Sequence, residues 1–212
     1  MTQQKTITVN CPACFEDGSF RIYSSIDVSE NPAIKEDIFS REIFKFTCPS
    51  CGEEILVAYD CTYTDPDNKY IIALVAGTDK ESLSALSVKD HTLRIVTSIN
   101  EFVEKIALCE DGIDDKVAEL YKIMLEDQFE DERPGSKLLG IFYGGRDFES
   151  NNLVFFIITE NAENCRAVLS MQTYDAIANQ FKESAEKFAD TSEVNRDWAI
   201  GVLQSGFENN EE

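Results

Sequence analysis

The sequence predicts an α+β fold in which a β-rich N-terminal part precedes a C-terminal part that combines helices with an antiparallel sheet. Two patterns support this prediction. Short stretches of alternating polar and apolar residues dominate residues 1–77, as expected for half-buried strands, whereas long stretches with apolar residues three and four apart begin at residue 98. The polar stretch 78–90 lies between the two patterns and is the predicted linker. We therefore predict domains at 1–77 and 91–207, followed by a disordered acidic tail at 208–212.

The N-terminal domain is predicted to consist mainly of short strands. Alternation is clearest at residues 19–28, where Phe20 and Ile26 lie on one face. Asn31-Pro32 predicts the start of a short helix, because the fixed φ of proline suits the first helical position. The predicted strands lie at residues 6–9, 19–28, 43–46, 55–59, 61–64 and 70–75.

Two Cys-Pro-x-Cys motifs, at residues 11–14 and 48–51, carry the most specific signal. Two cysteines with this spacing can face one ion, and two such pairs complete a tetrahedral four-sulfur shell that suits zinc. Gly52 follows the second motif and tolerates positive φ, whereas Phe15 follows the first, which we expect to be the less regular turn. The pattern predicts a zinc ribbon with a helical insertion between the motifs. The predicted zinc ligands are Cys11, Cys14, Cys48 and Cys51.

Two alternatives to zinc are open at this stage. The motifs could form two disulfides, although a reducing cytosol disfavours them. They could also hold iron, since the paired turns of rubredoxin are similar and a four-thiolate cage accepts either metal. Cys61, Cys109 and Cys165 lie in apolar surroundings and are expected to be buried free thiols.

The C-terminal domain is predicted to open with a strand at 93–96 and two helices. Ser98 and Glu101 have the spacing of a capping box. Asp114-Asp115 would place negative charge at the positive end of the second helix.

A β meander and a covering helix are predicted next. Gly144-Gly145 and Asn151-Asn152 are the expected turn residues between the first two strands. An apolar stripe at 173–188 predicts a helix over one face of the sheet, and residues 197–203 predict a last short helix. The predicted strands are 138–143, 153–159 and 166–170.

The charge balance limits the classes of partner. With 40 acidic and 19 basic residues the net charge is −21, and no basic stripe is present. Nucleic-acid binding needs clustered Lys and Arg, so we expect none here despite the ribbon motif. The apolar runs are too short to cross a bilayer, and we expect a cytoplasmic protein without membrane contact.

Several motifs together are similar to those of a known family. They are the two cysteine turns, Asn31-Pro32, Tyr63-x-Asp65-Pro66, Arg94-Ile95-Val96, Ile99-Asn100-Glu101-Phe102, Glu104-Lys105-Ile106 and Asp114-Asp115-Lys116. With this set the chain resembles the CpXC proteins of bacteria and archaea, from residue 7 to residue 125 and more weakly at 196–199. The resemblance implies the same four metal ligands and no defined activity, because the family is functionally uncharacterised.

The expected function is that of an interaction module with a structural zinc ion. Its partners would be proteins, including other copies of itself, and its acidity suits basic partners. The alternative is an enzyme or small-ligand-binding protein with a site in the C-terminal half, where the meander and its helix could enclose a pocket. No catalytic residue is predicted, since His91, the single histidine, is expected to have a surface or capping role.

Overall fold

The computed structural model describes residues 1–77, 90–161 and 164–208 and has the predicted α+β class. The chain divides into two compact units, Met1–Val103 and Glu104–Glu212. The strands in the described residues are β1 (Gln3–Asn10), β2 (Asp17–Asp27), β3 (Lys45–Thr47), β4 (Glu54–Leu56), β5 (Cys61–Asp65), β6 (Tyr70–Leu74), β7 (Thr92–Val96), β8 (Leu138–Asp147), β9 (Asn152–Thr159) and β10 (Asn164–Ser170). The helices there are α1 (Ile34–Phe39), α2 (Ile99–Glu110), α3 (Asp115–Glu132), α4 (Met171–Gln180), α5 (Lys182–Glu186) and α6 (Arg196–Glu208), with a 3₁₀ helix at Glu42–Phe44.

In the described part of the N-terminal unit, five strands form one mixed sheet in the order β1-β2-β5-β6-β7. The pairs β1–β2 and β5–β6 are antiparallel, whereas β2–β5 and β6–β7 are parallel. The predicted alternation of β2 is confirmed, because Phe20, Ile22 and Ile26 are all buried. This face contributes to the core of the unit.

Strand β7 belongs to the N-terminal sheet and not to the C-terminal part where the sequence pattern placed it. It pairs in parallel with β6, from Tyr70 opposite Thr92 to Leu74 opposite Val96. Parallel neighbours are joined by long crossovers, so local alternation does not reveal which sheet such a strand joins. The boundary between the two compact units lies after Val103, within α2, and residues 78–89 of the predicted linker lie outside the described residues.

The segment between the cysteine motifs differs in detail from its prediction. Helix α1 begins at Ile34 and not at Pro32, because residues 31–34 form a turn in which the Ile34 N–H donates to the Asn31 carbonyl at 3.2 Å. The predicted strand 43–46 starts with the 3₁₀ helix, and only β3 follows it. Strands β3 and β4 pair as a short antiparallel hairpin.

The C-terminal unit contains the predicted antiparallel meander, in the order β10-β9-β8. Its core includes apolar residues from the meander and from α3, α4 and α6. Trp198 is 7% exposed and its indole N–H donates to the Phe188 carbonyl at 3.4 Å, so it is a core residue. Its buried members include Leu120, Leu125, Phe129, Ile141, Tyr143, Leu153, Phe155, Ile157, Leu169, Phe181 and Trp198.

Gly144-Gly145 does not form the predicted turn but lies inside β8. The register shifts between Tyr143 and Gly145, and Gly145 has φ of 123°. A Cβ on Gly144 would lie 2.3 Å from the ring of Phe156, so the glycine is required by a close approach across the sheet. Asn151, as predicted, lies in the turn between β8 and β9, with φ of 55°.

The predicted covering helix 173–188 is interrupted. Helix α4 ends at Gln180 and α5 begins at Lys182, because Phe181 has non-helical ψ while its side chain is buried in the core. The apolar spacing continues through this break and therefore gave no sign of it. Among the described helices, none is long and apolar enough to cross a membrane.

A buried ion network ties α2 to α3 and to β8 in the C-terminal unit. The Lys105 ammonium lies 2.9 Å from the Asp115 carboxylate and 3.0 Å from that of Glu119. Lys122 lies 3.0 Å from Glu119 and 2.9 Å from Glu104, and Glu104 also accepts the backbone N–H of β8 at residue 143. Four of these five side chains are at most 6% exposed. Asp115 therefore pairs with a buried lysine, in addition to the expected effect of Asp114-Asp115 at the start of the helix.

Candidate metal centre

The first cysteine motif forms the turn between β1 and β2, at residues 11–16. The Cys11 N–H donates to the Glu16 carbonyl at 3.0 Å, and the Phe15 N–H donates to the Cys11 carbonyl at 2.9 Å. The Asn10 side-chain amide donates to the Phe15 carbonyl at 2.9 Å and to the Asp17 carboxylate at 3.0 Å. These bonds close a compact turn with both sulfurs on one side.

The second motif forms the turn between β3 and β4, at residues 48–53, with the same bonding scheme. The Cys48 N–H donates to the Glu53 carbonyl at 2.8 Å, and the Gly52 N–H donates to the Cys48 carbonyl at 2.9 Å. The expectation that the first turn would be less regular is therefore wrong. The two turns are alike because Phe15 adopts the same backbone conformation as Gly52, although it is not a glycine.

The residue after the last cysteine of each turn has a left-handed backbone. Gly52 has φ of 78° and Phe15 has φ of 62°. For a residue with a Cβ this conformation costs roughly 1–2 kcal/mol, whereas glycine adopts it freely. Phe15 is held there because both its N–H and its carbonyl are hydrogen-bonded.

Gly18 brings the two turns together, a role that the sequence pattern did not signal. A Cβ at this position would lie 2.6 Å from the ring of Phe46, in β3, and 3.0 Å from the ring of Pro49. Only glycine lets the β1–β2 and β3–β4 hairpins approach this closely.

The structure brings the four predicted ligands together. All four Sγ atoms lie within 4.8 Å of one another. Cys11 and Cys51 are 3.7 Å apart between their Sγ atoms, and Cys14 and Cys48 are 3.6 Å apart, so the close contacts link the two turns. All seven cysteines, including these four, are free thiols.

These distances fit a tetrahedral metal site. Four sulfurs that each lie about 2.3 Å from a central zinc ion are about 3.8 Å from one another. The two short Sγ–Sγ distances match this edge length, and a disulfide would need about 2.05 Å. The donor set of four thiols and the geometry therefore support a metal site.

The local electrostatics favours ionisation of one thiol. The backbone N–H groups of Cys51 and Ser50 lower the pKa of Cys48 to about 7. The backbone N–H of Glu16 lowers the pKa of Cys14, but lost hydration and the neighbouring thiols outweigh it and raise that pKa to about 12. A bound cation offsets the repulsion between adjacent thiolates, so metal binding here would release protons.

Burial differs among the four sulfur-bearing residues. Cys11 and Cys48 are buried, Cys14 is partly buried and Cys51 is exposed. Four thiolates complete a tetrahedral shell, which leaves no open position for a substrate or an activated water. This arrangement is suited to a structural metal.

The other singled-out residues lie elsewhere. His91 immediately precedes β7 and is not part of the cysteine cluster. Cys61 is buried, and burial raises its pKa to about 12, so it is an unreactive thiol. Cys109 is also buried, as expected, whereas Cys165 is only partly buried.

A comparison with known protein families gives one match. No curated protein and no solved structure matches the chain. The family model described as CpXC protein matches residues 9–122, which is more than half of the chain and includes both cysteine turns. The chain therefore belongs to the CpXC protein family.

Proposed function

We propose that the protein binds one zinc ion through Cys11, Cys14, Cys48 and Cys51, and that this zinc is structural. The observation that carries the proposal is the convergence of four thiols from two hairpin turns at tetrahedral spacing. Zinc is preferred to iron because closed four-thiolate shells are its common structural sites.

Metal analysis of the purified protein tests this proposal. We expect close to one equivalent of zinc, whereas bound iron would give visible absorption. Cys48→Ser removes a ligand and should lose most of the metal. Cys165→Ser is the matched control, because this partly buried thiol lies outside the cluster and its loss should leave the metal content unchanged. Absence of tightly held metal, or full retention in Cys48→Ser, would exclude the assignment.

The metal centre is best explained as the rigid part of a cytoplasmic protein–protein interaction module. Its shell is closed, so its use is to hold the two hairpins and the surface around them. A reducing cytoplasm would keep the seven thiols free and able to bind metal. The net charge of −21 favours basic partners, and self-association is the other form of contact to be tested.

Co-purification of the zinc-loaded protein from its own cell extract, followed by mass spectrometry, tests this role. We expect basic proteins that are retained at about 0.15 M salt and released at 1 M, since charge attraction weakens with ionic strength. Light scattering on the same sample measures self-association. A monomer that retains no protein would contradict the interaction role.

A second candidate is small-ligand binding in the C-terminal unit. Helix α3 and strand β10 border an open depression of about 320 Å³, whose rim includes Tyr121, Gln128, Arg133 and Arg166. A thermal-shift screen with small carboxylates and phosphates, repeated with Arg166→Ala, tests this alternative. A rise in Tm that the variant abolishes would support it, and no rise would count against it.

A further inference from the structure

Phe15 is an exposed aromatic residue on a rigid backbone. Phe15 is 77% exposed. Its ring therefore buries little area that could offset the cost of the left-handed backbone. Its N–H donates to the Cys11 carbonyl and its carbonyl accepts from the Asn10 amide, so its backbone is held close to the cysteine cluster. Only the side-chain torsions of the ring would have to be ordered on binding, and aromatic side chains are typical anchors at interfaces.

Both turns carry exposed carboxylates next to their last cysteine. Glu16 and Asp17 follow Phe15 directly, and the contact of Gly18 with Pro49 places the second turn beside them. We call this the knuckle surface. Its members, all exposed, are Phe15, Glu16, Asp17, Pro49 and Glu53.

The negative charge of the knuckle surface is not offset by nearby lysine or arginine side chains. Among the described residues, neither Glu16 nor Glu53 forms an ion pair. Lys45, the basic residue of the adjacent strand β3, is already 2.8 Å from Glu42 and 3.6 Å from Glu54. An exposed apolar ring on the same pair of turns as these two carboxylates is complementary to cationic side chains, which bind aromatic faces and carboxylates together.

We propose that the knuckle surface docks a basic segment of a partner protein, with Phe15 as the anchor for a lysine or arginine side chain. This proposal rests on the interaction function and specifies where on the molecule it occurs. Phosphate-bearing partners do not fit, because the same carboxylates repel them. The metal centre takes part indirectly, by holding the two turns in one surface.

Fluorescence anisotropy with a short fluorescein-labelled peptide of alternating arginine and glycine tests the proposal on the full, zinc-loaded chain. We expect Phe15→Gly to weaken binding about tenfold or more, as for interface anchors, while the fold is kept because glycine suits φ of 62°. Phe148→Gly is the matched control, because Phe148 is 73% exposed in the C-terminal unit and its loss should not affect binding.

A second pair of variants separates local charge from net charge. Glu16→Gln/Glu53→Gln and Glu149→Gln/Glu183→Gln change the net charge equally, and all four residues are exposed. Only the first pair should weaken binding. Equal losses in both pairs, an unaffected Phe15→Gly, or no binding by the natural chain would each overturn the proposal.

Co-purification distinguishes this proposal from the function on which it rests. Protein partners that the natural chain and Phe15→Gly retain equally would leave the interaction function intact and exclude this surface. Partners that Phe15→Gly loses and Phe148→Gly retains would support both. A natural chain without partners, and without self-association, would contradict the interaction function itself.

Discussion

At the scale of single residues, the metal centre depends on two positions that both need a left-handed backbone. Gly52 satisfies this need without strain, whereas Phe15 does so because hydrogen bonds fix its backbone on both sides. The equal turns show that backbone hydrogen bonding outweighs the conformational preference of a single residue. The turn therefore needs only the backbone conformation of this position, and the phenyl ring of Phe15 is not required for it.

We expect Phe15→Gly to stabilise the zinc-loaded protein by about 0.5–1 kcal/mol. Relief of the left-handed strain contributes roughly 1–2 kcal/mol, and the greater freedom of glycine in the unfolded chain opposes it by about 0.5–1 kcal/mol. Little packing is lost, because the side chain is 77% exposed. Urea unfolding at fixed zinc concentration measures the change.

Gly52→Ala is the control in the opposite direction. A Cβ at Gly52 would meet no atom within 4 Å, so backbone strain is opposed only by the lower freedom of alanine in the unfolded chain. We expect a loss of about 0.5–1 kcal/mol, by the same two contributions. Destabilisation by Phe15→Gly would show instead that the ring contributes packing that outweighs its strain.

At the scale of elements, the buried ion network fixes α2 and α3 against β8. Burial alone would lower the pKa of Lys105, but the carboxylates of Glu119 and Asp115 outweigh it and hold that pKa above its usual value. Burial likewise opposes the charge of Lys122, and Glu104 and Glu119 outweigh it, so the pKa of Lys122 is also raised. Both lysines are therefore charged in the folded protein.

Removal of one lysine should be costly, because buried carboxylates then lose one of the positive charges that offset them. We expect Lys105→Met to destabilise the protein by about 3–5 kcal/mol. Lys137→Met is the control, since its pair with Glu160 is more than 60% exposed on both sides and should contribute about 0–1 kcal/mol. Urea unfolding of both variants measures the difference. A change below 1 kcal/mol in Lys105→Met would mean that the site relaxes or admits water.

The raised pKa of Lys105 also predicts a pH dependence. A group whose pKa is higher in the folded state contributes stability that is complete below its unfolded pKa, which is about 10.4 for lysine, and that is lost above it. The free energy of unfolding of the natural chain should therefore fall more steeply above pH 10 than that of Lys105→Met. Parallel curves for the two proteins would contradict the assigned charge network.

Elements with a strong local signal were predictable from the sequence. The capping box is present, since Ser98 Oγ accepts the Glu101 N–H at 3.2 Å and the Glu101 carboxylate accepts the Ser98 N–H at 3.0 Å. Asp114 caps α3 by accepting the Lys116 N–H at 2.9 Å. The spacing within each cysteine pair is likewise local, and the meeting of the two pairs was predictable because four thiols complete one metal shell.

Features that depend on contacts between distant residues were not predictable in this way. The parallel partner of β7 and the close approach of Gly144 to Phe156 are set by the sheet as a whole. The network around Lys105 joins two helices that each have an ordinary charged pattern in the sequence. The same holds for Gly18, whose importance appears only when Phe46 and Pro49 are beside it.

At the scale of the whole molecule, the metal centre lies in one of two compact units. Chelation of the metal should therefore reduce hydrogen-exchange protection in residues 1–103 first. Structural zinc contributes apparent binding free energies of about 10 kcal/mol or more in small zinc peptides, and the short hairpin β3–β4 has little core to replace it. Residues 104–212 have their own core and should keep most of their protection. Equal loss in both units would show that they unfold together.

The charge of the molecule and the type of its metal motif favour different partners. Cysteine ribbons are often nucleic-acid modules, and such modules need exposed basic residues around the metal. Here Glu16, Asp17, Glu53 and Glu54 occupy those positions and are exposed, and the nearby Lys45 is paired with Glu54. The net charge of −21 adds a repulsive field over the whole chain.

We therefore expect no saturable binding of duplex DNA, single-stranded DNA or structured RNA at micromolar protein and physiological salt. Non-specific nucleic-acid binding typically has a Kd of about 10⁻⁴–10⁻⁶ M and derives from the release of counterions when clustered lysine and arginine side chains neutralise phosphates. No such cluster is present in the sequence. Anisotropy titrations at two salt concentrations measure this, with the arginine–glycine peptide as the binding control. Saturable binding that weakens steeply with salt would require a locally basic face. Nucleic-acid binding by that face would then replace protein binding by the knuckle surface as the function that the metal centre supports.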